Sequence, residues 1–235
     1  RYVSVTGVQT CALPISMREA VMGNYQYYLF DLDGTLTDSG EGIMNSIRHA
    51  LHKFGITEYE ETTLRKFIGP PLAECFQKYF DLSPEEAKAG IDYYREYYTA
   101  GGMFENAVYH GIKELLEGLK AKGKTLIVAT SKPELFAEQI LEHFDLAKYF
   151  DCIAGASMDE TRVHKDEVIA YAMQKYKEID HKKAVMIGDR SHDIMGGKAN
   201  GMDTIGVLYG FGNREELEEA GADIIVETPE EILRY

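Results

Sequence analysis

Six short segments of the chain are continuous apolar runs rather than alternations of apolar and polar residues. Such runs are typical of strands whose two faces are both covered, as in a parallel sheet. Most of the runs are separated by apolar residues spaced three to four apart, as in amphipathic helices. This alternation predicts βαβ units, with strands at residues 25–30, 125–129, 152–156, 184–187, 204–208 and 223–226.

The apolar stripes that predict the intervening helices lie in the first, second and third gaps between these strands. They consist of Ile112, Leu115, Leu116 and Leu119, then Leu135, Ile140, Leu141 and Phe144, and finally Val168, Ile169, Ala172, Met173 and Tyr176.

Residues 38–106 show helical patterns and no strand pattern. A first stripe ends near Gly55, and helical segments at 64–80 and 84–98 follow it. We therefore predict a helical insertion between the first strand and the rest of the sheet. The tyrosine-rich stretch at 92–98 is expected to be a packing face rather than a base-stacking platform, because no basic groove accompanies it.

The first sixteen residues have no clear period, and polar residues interrupt their apolar stretch, which argues against a secretory signal. Within them, VTGVQTCALPI (residues 5–15) resembles the translation of a sequencing-library adapter. We expect residues 1–16 to be a non-native leader, with the native start at Met17 or Met22. The alternative is a genuine variable arm.

The 235-residue chain has a formal net charge of -14, which disfavours nucleic acid as a partner because phosphate contacts need a basic face. The three cysteines show no paired spacing, and no apolar stretch approaches the length of a membrane span. We expect a cytoplasmic protein with no membrane partner. The oligomeric state stays open.

Polar residues stand just past several of the predicted strands. The carboxyl ends of parallel strands meet at one edge of the sheet, where ligands bind near a switch in strand order. Carboxylates, hydroxyls and a lysine at one edge suit Mg²⁺ and a phosphate group. The residues concerned are Asp31, Asp33, Thr130, Ser131, Lys132, Lys165, Asp189 and Asp193.

The spacing of Asp31 and Asp33 suggests that the two carboxylates have different catalytic roles. With a turn at Gly34, one of Asp31 and Asp33 can reach the phosphorus and the other the leaving oxygen. A carboxylate can form an acyl phosphate if the phosphoryl charge is neutralised, and one carboxylic acid can serve as proton donor and later as base. Asp189 and Asp193 are side by side if that segment is helical.

Four motifs resemble those of the haloacid dehalogenase-like phosphatases: DLDGT, IVATSKP, a downstream lysine and IGDRSHD. The resemblance implies an α/β fold, with a Rossmann-like parallel sheet core at 17–37 and 107–235. The insertion at 38–106 resembles the all-helical cap domain of the subfamily with phosphoglycolate phosphatases, β-phosphoglucomutases and some 5'-nucleotidases. Residues 206–232 resemble the phosphoglycolate phosphatase-like branch in particular.

The resemblance also implies roles for individual residues. Asp31 would be the nucleophile, and Asp33 the general acid and base whose backbone carbonyl binds Mg²⁺. Thr130 would hydrogen-bond the phosphoryl group, and Lys165 would pair with that group and the nucleophile. The implied Mg²⁺ ligands are Asp31, Asp33, Asp189 and Asp193, and the candidate substrate contacts are Gly34, Ser131, Gly69 and Pro70.

Some alternatives stay open at these motifs. His164 precedes Lys165 where a Lys-Pro pair is common, so Arg162 or Lys132 could share the work of the lysine. Arg190 stands where a small hydroxyl residue is frequent. The FIGPPL segment at 67–72 is either a rigid cap loop facing the substrate or a plain helix breaker.

We expect a Mg²⁺-dependent phosphomonoester hydrolase that acts through an aspartyl-phosphate, with phosphoglycolate as the leading substrate. A 5'-nucleotidase and a phosphosugar mutase are the alternatives on the same scaffold, and a non-enzymatic phospho-acceptor domain is the alternative of another class. A dinucleotide-binding enzyme is disfavoured, because G-x-G-x-x-G does not follow the first strand.

Overall fold

The computed structural model describes residues 25–159 and 161–235, and its central element is a six-stranded parallel sheet. The predicted leader at 1–16 lies outside the described residues. Six strands form this sheet: β1 (Tyr27–Phe30), β4 (Thr125–Pro133), β5 (Cys152–Ala156), β6 (Ala184–Gly188), β7 (Asp203–Val207) and β8 (Ile224–Val226). All six strands predicted from the apolar runs are therefore present, with ends shifted by a few residues.

The strand order is β5-β4-β1-β6-β7-β8, which places β1 between β4 and β6. Tyr28 pairs with Leu126 on one side and with Val185 on the other. The chain leaves β1 for one half of the sheet and later returns to the other half. The carboxyl end of β1 is therefore the switch point of the sheet, where open α/β sheets bind their ligands.

Helices cover both faces of the sheet, as the continuous apolar runs predict. Along β1, Tyr28 and Phe30 belong to one buried cluster and Leu29 to another. The core helices are α5 (Ile112–Ala121), α6 (Glu134–His143), α7 (Lys165–Lys175), α8 (Ser191–Ala199) and α9 (Arg214–Glu219). None of the helices within the described ranges is both long enough and apolar enough to cross a membrane.

Four helices lie in the insertion, between residues 38 and 107: α1 (Gly40–Lys53), α2 (Glu61–Arg65), α3 (Leu72–Phe80) and α4 (Pro84–Thr99). Two short strands, β2 (Thr37–Asp38) and β3 (Ala107–Val108), pair antiparallel at the base of this insertion. The sequence pattern did not predict this ladder, because two-residue strands have no readable period. We propose that residues 38–106 form the cap domain and that 25–37 and 107–235 form the core. Residues 17–24 of the predicted core lie outside the described residues.

The predicted helix at 64–80 is wrong as a single element. Helix α2 ends at Arg65, and residues 66–71 form a loop before α3 begins at Leu72. Gly69 adopts φ +105°, a conformation that favours glycine. Pro70 and Pro71 follow it, and proline lacks the N–H that a continuing helix needs. We call residues 66–71 the FIGPP loop.

The predicted buried stripe of α6 is wrong at Leu135, which is 49% exposed. Phe136, Ala137, Ile140 and Leu141 fill the buried face instead. A helix turns by about 100° per residue, so Leu135 lies a quarter turn outside the arc that these four residues occupy.

Candidate active site

Asp31 and Asp33 stand at the carboxyl end of β1, where the chain turns sharply. The N–H of Asp31 still donates to the carbonyl oxygen of Ile187 at 2.9 Å. Gly34 then adopts φ +85° and donates its N–H to the carbonyl of Thr37 at 2.8 Å. The buried strand therefore holds both carboxylates rigidly at the switch point of the sheet.

Lys165 is the central cation of this edge. It is the first residue of α7, and its Nζ lies 2.7 Å from Asp31 Oδ1 and 2.8 Å from Asp193 Oδ1. The Nζ also donates to the carbonyl of Ala129 at 3.1 Å. Burial alone would lower the pKa of Lys165, but the charges of Asp193 and Asp31 outweigh burial and raise it. The lysine is therefore a buried ammonium that bridges two carboxylates.

Three buried carboxylates form a group suited to a metal ion. One oxygen each from Asp31, Asp189 and Asp193 lies within 4.8 Å of the other two. Burial, followed by the charges of Asp193 and Asp31, raises the pKa of Asp189 well above its usual value. Burial also raises the pKa of Asp193 to about 6, although Lys165 opposes this. Hard oxygen donors that repel one another fit Mg²⁺.

Close backbone packing holds Asp189 in place. The N–H of Phe211 donates to Asp189 Oδ2 at 2.7 Å. A Cβ added at Gly210 would lie 2.4 Å from Asp189 Cβ, and one added at Gly212 would lie 1.8 Å from the Asp189 carbonyl oxygen. A Cβ at Gly34 would lie 2.3 Å from Asp189 Oδ2. Glycine at these three positions lets the chain wrap around this carboxylate.

Asp33 has a different partner from the other three aspartates. Its Oδ2 lies 2.9 Å from Lys132 Nζ, and both side chains are almost completely buried. The same Nζ lies 4.7 Å from the ring centroid of Tyr98 on α4. The Thr130 hydroxyl accepts from the N–H of Lys132 at 3.2 Å. The Asp33 carboxylate thus lies outside the group of three and beside its own ammonium.

Of the two basic residues left open by the sequence, the structure places Lys132 at the site and turns Arg162 away from it. Arg162 Nε donates to the carbonyl of Gly155 at 3.1 Å, and the guanidinium lies 3.6 Å from the ring centroid of Tyr171. His164 and His192 are both exposed.

A cavity of about 110 Å³ lies between the sheet edge and the helical insertion. We call it the active-site cavity. Asp31, Asp33, Thr130, Lys165 and Asp193 line its polar side together with Ser131, Lys132, Arg95, Arg190 and His192. Its other walls are Ile43, Phe67, Gly69, Pro70, Leu72, Tyr94, Tyr98, Pro133 and Phe136.

Ser131, Gly69 and Pro70 thus line the active-site cavity, where the sequence predicted substrate contacts. Gly34, predicted as a fourth contact, lies against the Asp189 carboxylate instead. The FIGPP loop is both a helix break and a wall of the cavity, so the two interpretations of that segment hold together.

Several cavity residues escaped the sequence interpretation. Tyr94 and Tyr98 are buried and stacked, with ring centroids 5.2 Å apart. Their spacing of four residues on a helix was the available signal, since such residues share a face. Phe211, which lies outside the cavity lining and donates its N–H to Asp189, was another omission, although the Gly-Phe-Gly segment that contains it follows a predicted strand end.

Comparison with known proteins gives concordant matches. Residues 28–207 match the family model described as haloacid dehalogenase-like hydrolase. A protein of Pseudomonas aeruginosa named 5'-nucleotidase is 45% identical over 86% of this chain and 90% of its own length. A Mycobacterium tuberculosis protein named tyrosine-protein kinase PtkA is 40% identical over 85% of this chain and 68% of its own length.

A phosphoglycolate phosphatase of Vibrio parahaemolyticus is 27% identical over 87% of this chain and 92% of its own length. Among solved structures, a predicted phosphatase from Clostridium acetobutylicum superimposes with a TM-score of 0.86 at 52% identity. That match covers 89% of this chain and 96% of the other. The sequence-based prediction of the fold class and of the family resemblance is confirmed.

Proposed function

The chain belongs to the haloacid dehalogenase-like hydrolase family and is a phosphatase, and we propose that it hydrolyses small phosphate monoesters through an aspartyl-phosphate on Asp31. One observation carries the proposal. The Asp31 carboxylate lies at the wall of the active-site cavity, joined to the Lys165 ammonium at 2.7 Å. A nucleophile beside a buried cation can approach an anionic phosphoryl group without the repulsion that it would meet alone.

In the first step an oxygen of Asp31 attacks the phosphorus, and the bond from phosphorus to the ester oxygen breaks. The leaving oxygen takes a proton from the carboxylic acid form of Asp33. Lys165 and the Thr130 hydroxyl stabilise the charge that builds up on the transferring group. Asp33 lies two residues from the nucleophile, outside the group of three carboxylates and at the wall of the active-site cavity, where it can face the leaving group.

In the second step a water attacks the phosphorus and gives its proton to the Asp33 carboxylate. The bond from phosphorus to Asp31 breaks, which releases inorganic phosphate and restores the nucleophile. The Lys132 ammonium, 2.9 Å from Asp33 Oδ2, holds this carboxylate in position to act as the base of this step.

Mg²⁺ is the cation that these residues would hold. Asp31, Asp189 and Asp193 would be its carboxylate ligands, with the backbone carbonyl of Asp33 as a further oxygen donor. When bound, Mg²⁺ supplies positive charge that neutralises the phosphoryl group and offsets the net charge of -14. The raised pKa values of Asp189 and Asp193 support a cation at this position, because they arise from buried negative charges without enough compensation.

For the substrate, we propose a nucleoside monophosphate first. The cavity walls contain Phe67, Tyr94, Tyr98 and Phe136, and an aromatic wall suits the flat ring of a nucleobase. This gives Tyr94 and Tyr98 a role beyond the packing role expected from the sequence. The relative named 5'-nucleotidase, at 45% identity, supports the same order. This ranking reverses the expectation from the sequence, which led with phosphoglycolate.

Phosphoglycolate is the second candidate. Arg95 lines the same cavity, and a guanidinium there is a suitable partner for the carboxylate of phosphoglycolate. The relative named phosphoglycolate phosphatase is more distant, at 27% identity.

The test is phosphate release from a panel of monophosphates, with and without Mg²⁺, in wild type and in Asp31→Asn. Nucleotides, phosphoglycolate, sugar phosphates and phosphotyrosine form the panel. We expect release that requires Mg²⁺ and is lost in Asp31→Asn, with a nucleotide preferred. Release by Asp31→Asn at the wild-type rate would exclude the aspartyl-phosphate. Transfer of phosphate between sugar hydroxyls, or a stable phosphoprotein without turnover, would identify a mutase or a phospho-acceptor.

A further inference from the structure

Arg190 connects the sheet edge to the helical insertion. It follows Asp189 directly, and its Nη1 donates to the carbonyl oxygen of Ile68 at 2.7 Å. Ile68 belongs to the FIGPP loop, 122 residues away in the chain. One hydrogen bond from a charged donor therefore ties this loop to the end of the strand that carries a predicted metal ligand.

Glu216 fixes the orientation of the Arg190 guanidinium. Arg190 Nε donates to both carboxylate oxygens of Glu216, at 3.0 and 3.3 Å. The Glu216 carboxylate also accepts from the N–H and the hydroxyl of Ser191, each at 2.9 Å. Burial would raise the pKa of Glu216, but these donors and Arg190 outweigh it and lower the pKa. The guanidinium is therefore held from behind, with Nη1 directed at the loop.

The FIGPP loop is anchored in the insertion by packing and meets the sheet edge at Arg190. Phe67 and Ile68 are buried, and the Phe67 ring lies 5.1 Å from that of Phe76 on α3. Proline residues restrict the backbone that follows. A Cβ at Gly69 would lie 3.6 Å from Arg190 Cγ and 3.7 Å from Nη1, so the loop backbone lies directly against the arginine.

The main chain of Arg190 also contacts Asp193, one of the three clustered carboxylates. Its N–H donates to Asp193 Oδ2 at 3.0 Å. The same residue thus holds a metal-site carboxylate with its backbone and the opposite cavity wall with its side chain. Gly69, Pro70 and Arg190 all line the active-site cavity.

We propose that Arg190 is a positioning residue that sets the place of the FIGPP loop over the active-site cavity, with Glu216 holding its guanidinium. The bond to Ile68 fixes the distance between the carboxylates and the wall that meets the leaving group of the substrate. The kinetic part of this proposal rests on the proposed phosphatase function. The structural part does not, because it concerns the mobility of the loop.

Hydrogen exchange tests the structural part without any substrate. Exchange of the peptide that spans residues 64–72 is compared by mass spectrometry in wild type, Arg190→Ala, Arg190→Lys and Glu216→Ala. We expect faster exchange in all three variants. Lysine at position 190 should not restore the bond. Its single ammonium group cannot donate to Glu216 and to the Ile68 carbonyl at once, as the forked guanidinium of arginine does. The matched control is Arg214→Ala. It removes an exposed arginine of α9 that pairs with Glu218 and Glu227, and the 64–72 peptide should exchange in it as in wild type.

Kinetics with the best compound of the panel test the consequence. We expect Arg190→Ala to lose about tenfold in kcat/KM, mainly through a higher KM, since one charged hydrogen bond is lost. The Mg²⁺ affinity should stay within about twofold of wild type. Unchanged exchange in Arg190→Ala overturns the proposal, as does an unchanged KM despite faster exchange. Loss of Mg²⁺ binding instead overturns it, because Arg190 would then act on the carboxylates. If no compound is hydrolysed by wild type, the proposed function fails, and the exchange result alone decides on the loop.

Discussion

Lys132 and Asp33 form a buried ion pair, with Nζ 2.9 Å from Oδ2 and side chains that are 5% and 12% exposed. Burial would lower the pKa of Lys132, but Asp33 outweighs burial and raises it. The pair joins two neighbouring strand ends, one from β1 and one from β4. It is therefore part of the active-site framework as well as of its chemistry.

Replacing one partner of this pair should destabilise the protein. Lys132→Met leaves the Asp33 carboxylate buried without a counter-charge, which costs about 3–5 kcal/mol in comparable buried pairs. Urea denaturation gives the free energy of unfolding. The double variant Lys132→Met with Asp33→Asn should recover most of the loss, because no uncompensated charge remains. A double variant as unstable as Lys132→Met would contradict this interpretation.

Lys165 should matter more for the rate than for binding. Lys165→Met removes the ammonium that bridges Asp31 and Asp193, and we expect kcat to fall by about 10²–10³, as for other preorganised transition-state donors. Steady-state kinetics with the preferred substrate measure this. Lys175→Met, in the same helix and paired with Glu134 at 2.7 Å, is the control and should keep the wild-type kcat. Equal losses in the two variants would indicate a general defect of α7.

Mg²⁺ affinity should fall as the pH falls. The pKa of Asp193 is raised to about 6 and that of Asp189 is raised as well, mainly by burial. Below these pKa values the carboxylates take up protons and no longer bind the cation. Titration calorimetry between pH 8 and pH 5 should therefore show a Kd that begins to rise near pH 6 and rises more steeply below it.

The stabilisation of the fold by Mg²⁺ should depend on pH in the same direction as the Mg²⁺ affinity. A carboxyl group with a raised pKa in the folded state is destabilising when ionised, so Mg²⁺ should raise the Tm most at pH values above the raised pKa. The increase in Tm should shrink towards pH 5. A Mg²⁺-induced increase in Tm that is independent of pH would argue against binding by these carboxylates.

Gly210→Ala should disturb the metal site from behind. Its Cβ would lie 2.2 Å from the Gly34 carbonyl oxygen and 2.4 Å from Asp189 Cβ, so the Asp189 carboxylate has to move. We expect Mg²⁺ affinity to fall by about tenfold or more, as when groups that orient metal ligands are removed. Calorimetry measures the Kd.

Gly123→Ala is the control for Gly210→Ala. A Cβ at Gly123 meets nothing within 4 Å, but φ is +71°. This variant should lose stability through backbone strain and keep the wild-type Mg²⁺ affinity. If Gly210→Ala binds Mg²⁺ as tightly as wild type, Asp189 does not contribute to the metal site in the way described.

The strands of the fold could be predicted from sequence because a strand that is buried on both faces is apolar along its whole length. Leu135 and the helix at 64–80 were assigned wrongly for a local reason too. An apolar residue does not by itself indicate which arc of a helix meets the sheet, and a Gly-Pro-Pro segment does not show where a helix resumes.

The amino-acid sequence by itself determined which residues stand at strand ends, and a parallel sheet brings those ends to one edge. That is why the sequence alone was enough to assign five residues to one site: Asp31, Asp33, Lys165, Asp189 and Asp193. Only the tertiary structure decided which cation pairs with which carboxylate, since Lys132 and Arg162 are both cations close to the motifs in sequence and differ in their surroundings in the fold. The bond from Arg190 to Ile68 joins residues 122 apart, and such a contact depends on packing between helices and sheet that no local pattern records.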